Sequence, residues 1–393
     1  PKVKITEEMA INRDDLRPLI GQELTVIAWL WARTVASPNP ALNGVHVPLV
    51  RSFVLSKKKN NRAWVEPVIS EDKQSYRFEV RTGVGKPPAG TVDRRGGTCL
   101  LSGVPMLFDY IRAEGQAGRM GVRLMAIVAE GPNGRVYLPP IEEHEKMANV
   151  VLPANIPTTS LPEKALGFRV QQYGMTQHSD LFTPRQLTAL TTFSDLVQEV
   201  RKEVLKDALA AGMADDGRGL EEGGRGAAAY ADAVATYLAL ALDKGANLWS
   251  SITSWMGDRG AFRETFARQA IPMIWDFAEA NPFSNSGGNI SMFLDRCTDV
   301  IMFLPTLQVP GNAKLLDAKS GMGLTKVMFS TDPPYYDNIG YADLADFFYV
   351  WLRRSLAEVF PELFGTILVP KKEELVATPY RFQGDRVKAK EFF

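Results

Sequence analysis

Cysteine and histidine are scarce in this chain. Its 393 residues hold two cysteines, Cys99 and Cys297, and three histidines, His46, His144 and His178. Two thiols far apart give no disulfide framework and fit a reducing cytoplasm. The scattered histidines form no His-x-x-x-His pair and no Ser/His/Asp grouping, which turns the reading away from hydrolysis. No apolar run reaches the length of a membrane span, and no signal peptide is visible. Net charge is missing too, because 45 basic residues balance 45 acidic ones. That argues against a uniformly basic nucleic-acid binder.

Apolar residues are plentiful. They make up 45% of the chain, ample for real cores in two or three domains. The charge is neutral overall but uneven. Residues 51–135 hold 15 Lys/Arg against 8 Asp/Glu, a surplus of seven that the remainder of the chain cancels. Lys57, Lys58, Lys59, Arg62, Arg94 and Arg95 belong to that surplus. Such a patch suits phosphates and salt-dependent binding. Lys-Lys-Lys-Asn-Asn is equally good material for a solvated hairpin tip.

Residues 1–23 read as a tail or linker. From 24 to 138 the pattern is β-rich. Val26–Trp31, Val47–Leu55, Ala63–Ile69, Tyr76–Thr82 and Val136–Leu138 are strand-like between Gly, Pro and Asn. Asp109–Glu114 and Leu124–Glu130 fit either a strand or a short helix. Residues 139–182 are proline-rich and read as a connector. Thr183-Pro184 supplies an N-cap and a proline at the first helical position, predicting a helix to about Ala211. Gly212–Gly226 reads as a loop and Ala227–Asp243 as a helix. Further helices are expected over Phe262–Trp275, Ser291–Phe303 and Tyr341–Phe360. Residues 183–290 then form a helical module, and 291–393 a last domain.

The chemistry-bearing motif lies in that last domain. Thr325–Phe329 is an apolar run that reads as a buried strand, and Ser330-Thr331-Asp332-Pro333-Pro334-Tyr335 follows it. An acid, two prolines and an aromatic at a strand's carboxyl end make a rigid polar mouth, where ligands of α/β folds gather. D-P-P-Y resembles the catalytic motif of methyltransferases that act on the exocyclic amine of adenine or cytosine in DNA. The longer run Asp332–Arg354 resembles large bacterial and archaeal DNA methylases, some described as adenine-specific with a zinc ribbon. Gly118–Gly131, Asp180–Val197 and Arg268–Asn289 extend the resemblance over nearly the whole chain.

That resemblance implies roles. Asp332 offers a side-chain acceptor for the amine, and the Pro333 carbonyl a second one. Pro333 and Pro334 stiffen the loop. Tyr335 stacks on the flipped base. Tyr336, Asp337, Asn338 and Trp275 are expected to line the substrate pocket. S-adenosylmethionine is the implied cofactor, but the glycine-rich loop of the type D-P-F-x-G-x-G is not in this sequence. Gly321-Met322-Gly323 and Gly83-Val84-Gly85 read as turns. The start at Pro1 and the end at Phe393 inside a helical pattern point to a piece of a longer protein, or one part of a split one. Where the family tends to pair cysteines, this chain has Ser37–Leu42 and Cys99–Ser102, so no zinc is expected.

The expected fold is α/β, a partial doubly wound, Rossmann-like methyltransferase sheet with a β-rich insert and a helical module. The expected function is S-adenosylmethionine-dependent DNA amino-methylation, adenine N6 ahead of cytosine N4, in restriction or anti-phage defence. Implied partners are double-stranded DNA, the remainder of the methyltransferase on the same or a separate chain, and defence-complex subunits. A non-catalytic DNA-binding or scaffolding subunit is one alternative, and an RNA or protein-amide methyltransferase another.

Overall fold

The structure, a computed structural model, describes residues 1–304, 311, 323 and 325–393. It is of mixed α/β class, with several small antiparallel sheets and seven α-helices among the described residues. Two units divide the chain. Pro1–Leu161, Arg169–Thr191 and Lys244–Leu294 form the first, and Pro162–Phe168, Thr192–Asp243 and Asp295–Phe393 the second. No helix among the described residues is long and apolar enough to cross a membrane.

The first unit begins with strands β1 (Lys2–Lys4), β2 (Glu23–Ala36) and β3 (His46–Leu49). A meander of β4 (Val54–Ser56), β5 (Ala63–Ile69) and β6 (Tyr76–Thr82) follows. The hairpin of β7 (Gly96–Thr98) and β8 (Pro105–Leu107) leads into helix α1 (Phe108–Gln116). Then come β9 (Gly121–Gly131), β10 (Gly134–Leu138) and the short helix α2 (Glu142–Met147).

Strand β2 organises this unit. Its sequence is rich in β-branched and aromatic residues, which fit a pleated surface. It pairs with β9 along one edge and with β1, with β3 and with β13 (Asp276–Ala280) along the other, always antiparallel. Two register shifts against β9 mark bulges that bend it. Ten of the fourteen residues of β2 are buried, on both faces of the strand. Val26, Trp31, Leu124, Ile127 and Phe277 share one core with Val3, Ile5, Leu16 and Leu19. Residues 1–23 are therefore not a tail. Each fully buried aliphatic or aromatic side chain is worth roughly 1.5–3 kcal/mol, and the amino-terminal segment contributes several.

Helices α3 (Pro184–Ala210) and α4 (Ala227–Ala246) each have one end in this unit. α3 begins as expected after Thr183, whose hydroxyl accepts from the Gln186 N–H while the Gln186 side chain accepts from the Thr183 N–H. Arg185 in its first turn makes two hydrogen bonds to Glu279 of β13, at 2.7 and 2.6 Å, and lies over Trp31. α4 ends here. The expected helix over Phe262–Trp275 does not form. Strands β11 (Ser254–Met256) and β12 (Ala261–Arg263) make a hairpin, and the chain then runs irregularly into β13. The expected helical module of 183–290 is thus shared between the units, and its last strand belongs to the β-rich sheet.

The second unit is helical. Val197 of α3, Ala235 and Ala239 of α4, and Leu356 of α6 (Tyr341–Leu356) build its core with Val359 and Phe364. Helix α5 (Ile290–Phe303) enters it, and α7 (Arg386–Phe392) lies near the end of the chain. The doubly wound sheet expected over 291–393 is not present among the described residues, where this unit contains no strand. Residues 325–329 are irregular and exposed, with Met328 96% and Phe329 74% accessible. An apolar run becomes a strand only beside another strand, because its N–H and C=O groups need partners. Of the turn expected at Gly321-Met322-Gly323, the first two residues lie outside the described ones.

Candidate functional site

The D-P-P-Y residues stand on an irregular loop of the second unit. Asp332 through Asn338 are all exposed. The Tyr335 hydroxyl donates to Asp332 Oδ1 at 2.9 Å, so the acid and the aromatic of the tetrad meet. That hydrogen bond and the nearby negative charge hold the phenol above its ordinary pKa. Tyr336 adopts the left-handed conformation with φ of 59°. This costs a side-chain-bearing residue roughly 1–2 kcal/mol and persists only where the surroundings impose it. Here the Tyr336 carbonyl accepts from the Ala377 N–H at 3.0 Å, and its ring meets Phe393 edge-on at 5.0 Å.

Behind the loop lies an ionic network that the sequence reading missed. Asp343 and Asp346 sit in the first two turns of α6 and are 3% and 0% exposed. Asp343 Oδ2 accepts from the Tyr380 hydroxyl at 2.7 Å and from Arg381 at 3.1 Å. Arg381 also pairs with Glu374 at 2.6 Å, and Glu374 accepts from the Ala342 N–H. Asp346 pairs with Lys371 at 2.6 Å and accepts from the Val369 N–H. The segment 369–381 is thereby clamped to α6, and Ala377 within it holds Tyr336. The signal was available, since two acids three apart interrupt an otherwise apolar helical face in Tyr341–Trp351.

Trp275 is elsewhere. It is 6% exposed in the first unit, stacked on Phe108 at 6.1 Å and edge-on to Tyr173 at 5.0 Å. That is a core position, and no substrate base can reach its ring. The expectation of a pocket residue is corrected accordingly.

The basic residues occupy two loops of the first unit. Lys57, Lys58, Lys59 and Arg62 lie between β4 and β5, with the Lys57 N–H donating to the Gly257 carbonyl at 2.7 Å. Lys58 and Lys59 line an open cleft of about 340 Å³ with Asn61 and Arg135. Arg62 donates to the Gly85 carbonyl. Arg94 and Arg95 lie on the loop before β7, where Arg95 pairs with Asp93 at 3.1 Å. The structure brings the three lysines together and keeps Arg94 and Arg95 on a separate loop.

Two hairpins bear on metal binding. The turn 37–45 joins β2 to β3, and the turn 99–104 joins β7 to β8. They bring Ser37 Oγ to 3.2 Å from Cys99 Sγ, while the Ser102 N–H donates to the same sulfur at 3.4 Å. Burial would raise the Cys99 thiol, but the bonds from Ser102 and Ser37 outweigh it and lower its pKa. His46 Nδ1 lies 2.9 Å from Thr34 Oγ1. Among the described residues no group of three or more His, Cys, Asp or Glu stands together as metal ligands. The glycines weighed for a methyl-donor loop serve other ends. Gly83 turns the chain with φ of +88°, and a Cβ on Gly85 would collide with the Trp64 ring, so these glycines serve a turn and packing.

No protein-family model, no curated protein and no solved structure matches this chain.

Proposed function

We propose that this chain supplies the base-facing loop and a DNA-binding module of a DNA amino-methyltransferase. Adenine N6 is the preferred target over cytosine N4, and restriction or anti-phage defence is the setting. The observation that carries the reading is the D-P-P-Y loop itself: exposed, stiffened by two prolines, and with Tyr335 hydrogen-bonded to Asp332. An exocyclic amine is a poor nucleophile because its lone pair is delocalised into the ring. Two acceptors draw its N–H groups out of that plane, the Asp332 carboxylate and the Pro333 carbonyl. The bond from Tyr335 uses one of about four lone-pair sites on the carboxylate, which leaves room for the amine. The exposed Tyr335 ring offers a stacking face worth roughly 1–3 kcal/mol per base. Asp332 need not be a strong base, because the amine sheds its proton after methylation.

S-adenosylmethionine supplies an electrophilic methyl group when bound. The described residues offer no loop that fits it, so in this reading its binding half lies elsewhere in the protein or on another chain. That half would also give 325–329 the neighbouring strands of a doubly wound sheet, and the exposed Val327, Met328 and Phe329 support this. Double-stranded DNA is the expected ligand of Lys57–Lys59.

A second reading, a DNA-binding or scaffolding subunit without chemistry, is favoured by the missing cofactor loop. Methyl transfer to duplex DNA by the assembled enzyme, compared with its Asp332→Ala variant, decides between them. Lost transfer with DNA binding retained supports the enzyme. Unchanged transfer removes Asp332 from the chemistry. Competition by RNA and by glutamine-containing peptides tests the choice of substrate class.

A further inference from the structure

Asp276 at the start of β13 has no part in the reading above. It lines a cleft of about 180 Å³ in the first unit, with Val54, Lys57, Trp255, Met256 and Phe277. Drug-sized ligands fill pockets of roughly 300–1,000 Å³, so this cleft has room for one flat ring system and not for a whole nucleotide. Its aromatic wall is fixed in advance. The Trp255 Nε1 donates to the Leu55 carbonyl at 2.8 Å, and Phe262 meets the Trp255 ring edge-on at 5.3 Å.

Arg135 links this cleft to the basic one. The Arg135 guanidinium lies 5.5 Å from the centre of the Trp255 ring, and the Asn61 side chain donates to the Arg135 carbonyl at 2.8 Å. Arg135, Lys58 and Lys59 line the 340 Å³ cleft, while their neighbour Lys57 lines the smaller one. A ring held in the first cleft therefore has cations at its door.

We propose that these linked clefts form a guanine-nucleotide site, with the base against Trp255 and Asp276 and the 5′-phosphate on the lysines and Arg135. The choice of guanine follows from Asp276. Its Oδ1 accepts the Arg51 backbone N–H at 2.8 Å, and among the described residues no side chain hydrogen-bonds to it. Ionised, as it is above a pH of about 7, the Asp276 carboxyl only accepts, through two oxygens. Guanine is the DNA base that presents two N–H donors side by side, at N1 and N2. Such paired, charge-assisted bonds are the strong and geometrically selective kind. The proposal does not depend on methyl transfer, since its residues lie in the first unit and D-P-P-Y in the second.

Calorimetry on the whole chain at a pH above about 7, where Asp276 is ionised, tests it with GMP, IMP, AMP and guanosine. GMP is expected to bind, with IMP, which lacks the N2 amine, and AMP at least tenfold weaker. Guanosine should be weaker than GMP for want of the phosphate. Asp276→Asn should lose tenfold or more for GMP while its circular-dichroism melt shows a folded chain. Met256→Trp, which fills the cleft and leaves Asp276 in place, should lose GMP as well. Joint Lys57→Ala and Lys59→Ala should weaken GMP and leave guanosine unchanged. Oligo-dT carrying a single dG, against plain oligo-dT, separates a guanine in a DNA strand from a free nucleotide as the source, and either supports the site. Absence of GMP binding, equal affinity for GMP and AMP, or unchanged binding by Asp276→Asn would overturn it. Asp332→Ala should bind GMP as the parent does, so failure of the methylation reading and failure of this site are read separately.

Discussion

Strand β2 and residues 325–329 are both apolar runs, and they meet opposite fates. Val26, Ala28, Leu30 and Ala32 of β2 are 3% exposed or less. Val327, Met328 and Phe329 are 42%, 96% and 74% exposed. The two runs differ in their neighbours. At Ala28–Ala32, β2 has β9 on one edge and β13 on the other, so its backbone has strand partners on both sides. The later run has no strand beside it among the described residues. Apolar composition thus gives a segment a reason to be buried, but burial requires an edge that another part of the chain, or another chain, supplies.

Attacking what holds each region should separate the two most clearly. Arg381→Ala leaves buried Asp343 without its cation. Breaking a buried pair on one side costs about 3–5 kcal/mol, and here it should release the 369–381 clamp and with it Tyr336. Hydrogen exchange should show faster exchange at Ala377, whereas β2 amides stay protected. Trp275→Ala is expected to cost about 3–5 kcal/mol in the first unit, because it empties a core position between Phe108 and Tyr173. A denaturation midpoint that does not move would make Trp275 an exposed pocket residue after all.

In the proposed methyltransferase, Asp332→Ala should lower methyl transfer by about 10²–10³-fold, the size seen when one polar group that stabilises a transition state is removed. Its stability should be unchanged, since Asp332 is exposed. Replacing Lys57 and Lys59 together by Ala should flatten the fall of log affinity with log salt on duplex DNA. Each lysine that neutralises a phosphate accounts for about 0.9 of that slope. An unchanged slope would leave the lysines as a solvated hairpin tip.

The last prediction concerns pH. Asp276 keeps some surface toward its cleft, yet burial pushes its carboxyl up to about 7 from the ordinary 3.8, against the lowering effect of the Arg51 backbone N–H, its own backbone N–H and the Arg51 charge. Lys57, Asp258 and Arg263 line the same cleft. Between those two values the folded chain keeps a proton that the unfolded chain has released. The stabilisation is complete below the unfolded value and is lost as the pH rises through about 7. Urea midpoints measured from pH 4 to 8 should fall across that window, and Asp276→Asn should flatten the fall.

The helices show how much was legible. α3 and α5 fall within a residue of their expected bounds, and α4 and α6 share their expected starts, because apolar spacing, Thr183-Pro184 and the Gly-rich loop act over a few residues. β13 was not legible as a strand of this sheet. Asp276–Ala280 takes its conformation from pairing with β2, whose residues lie more than 240 positions earlier. The amino-terminal segment departs from the expected tail for the same reason, since Val3 and Ile5 are buried by partners distant in the chain. At the candidate site, D-P-P-Y was readable as a motif. The Asp343–Arg381–Glu374 network was readable only in part: two acids on the apolar face of α6 mark it, but their partners across the loop leave no local trace.

Side-chain periodicity, fixed φ and charge travel with each residue. They suffice for the helical segments, the turns, the basic stretch at 57–59 and the acid–proline–proline–aromatic order of the tetrad. Folding in three dimensions had to settle the rest: that β13 joins β2, that Trp275 is core, that Ser37 meets Cys99, and that Asp276 lines a cleft beside the lysines. Those outcomes depend on which distant segments supply hydrogen-bond partners and exclude water, and no local pattern records that.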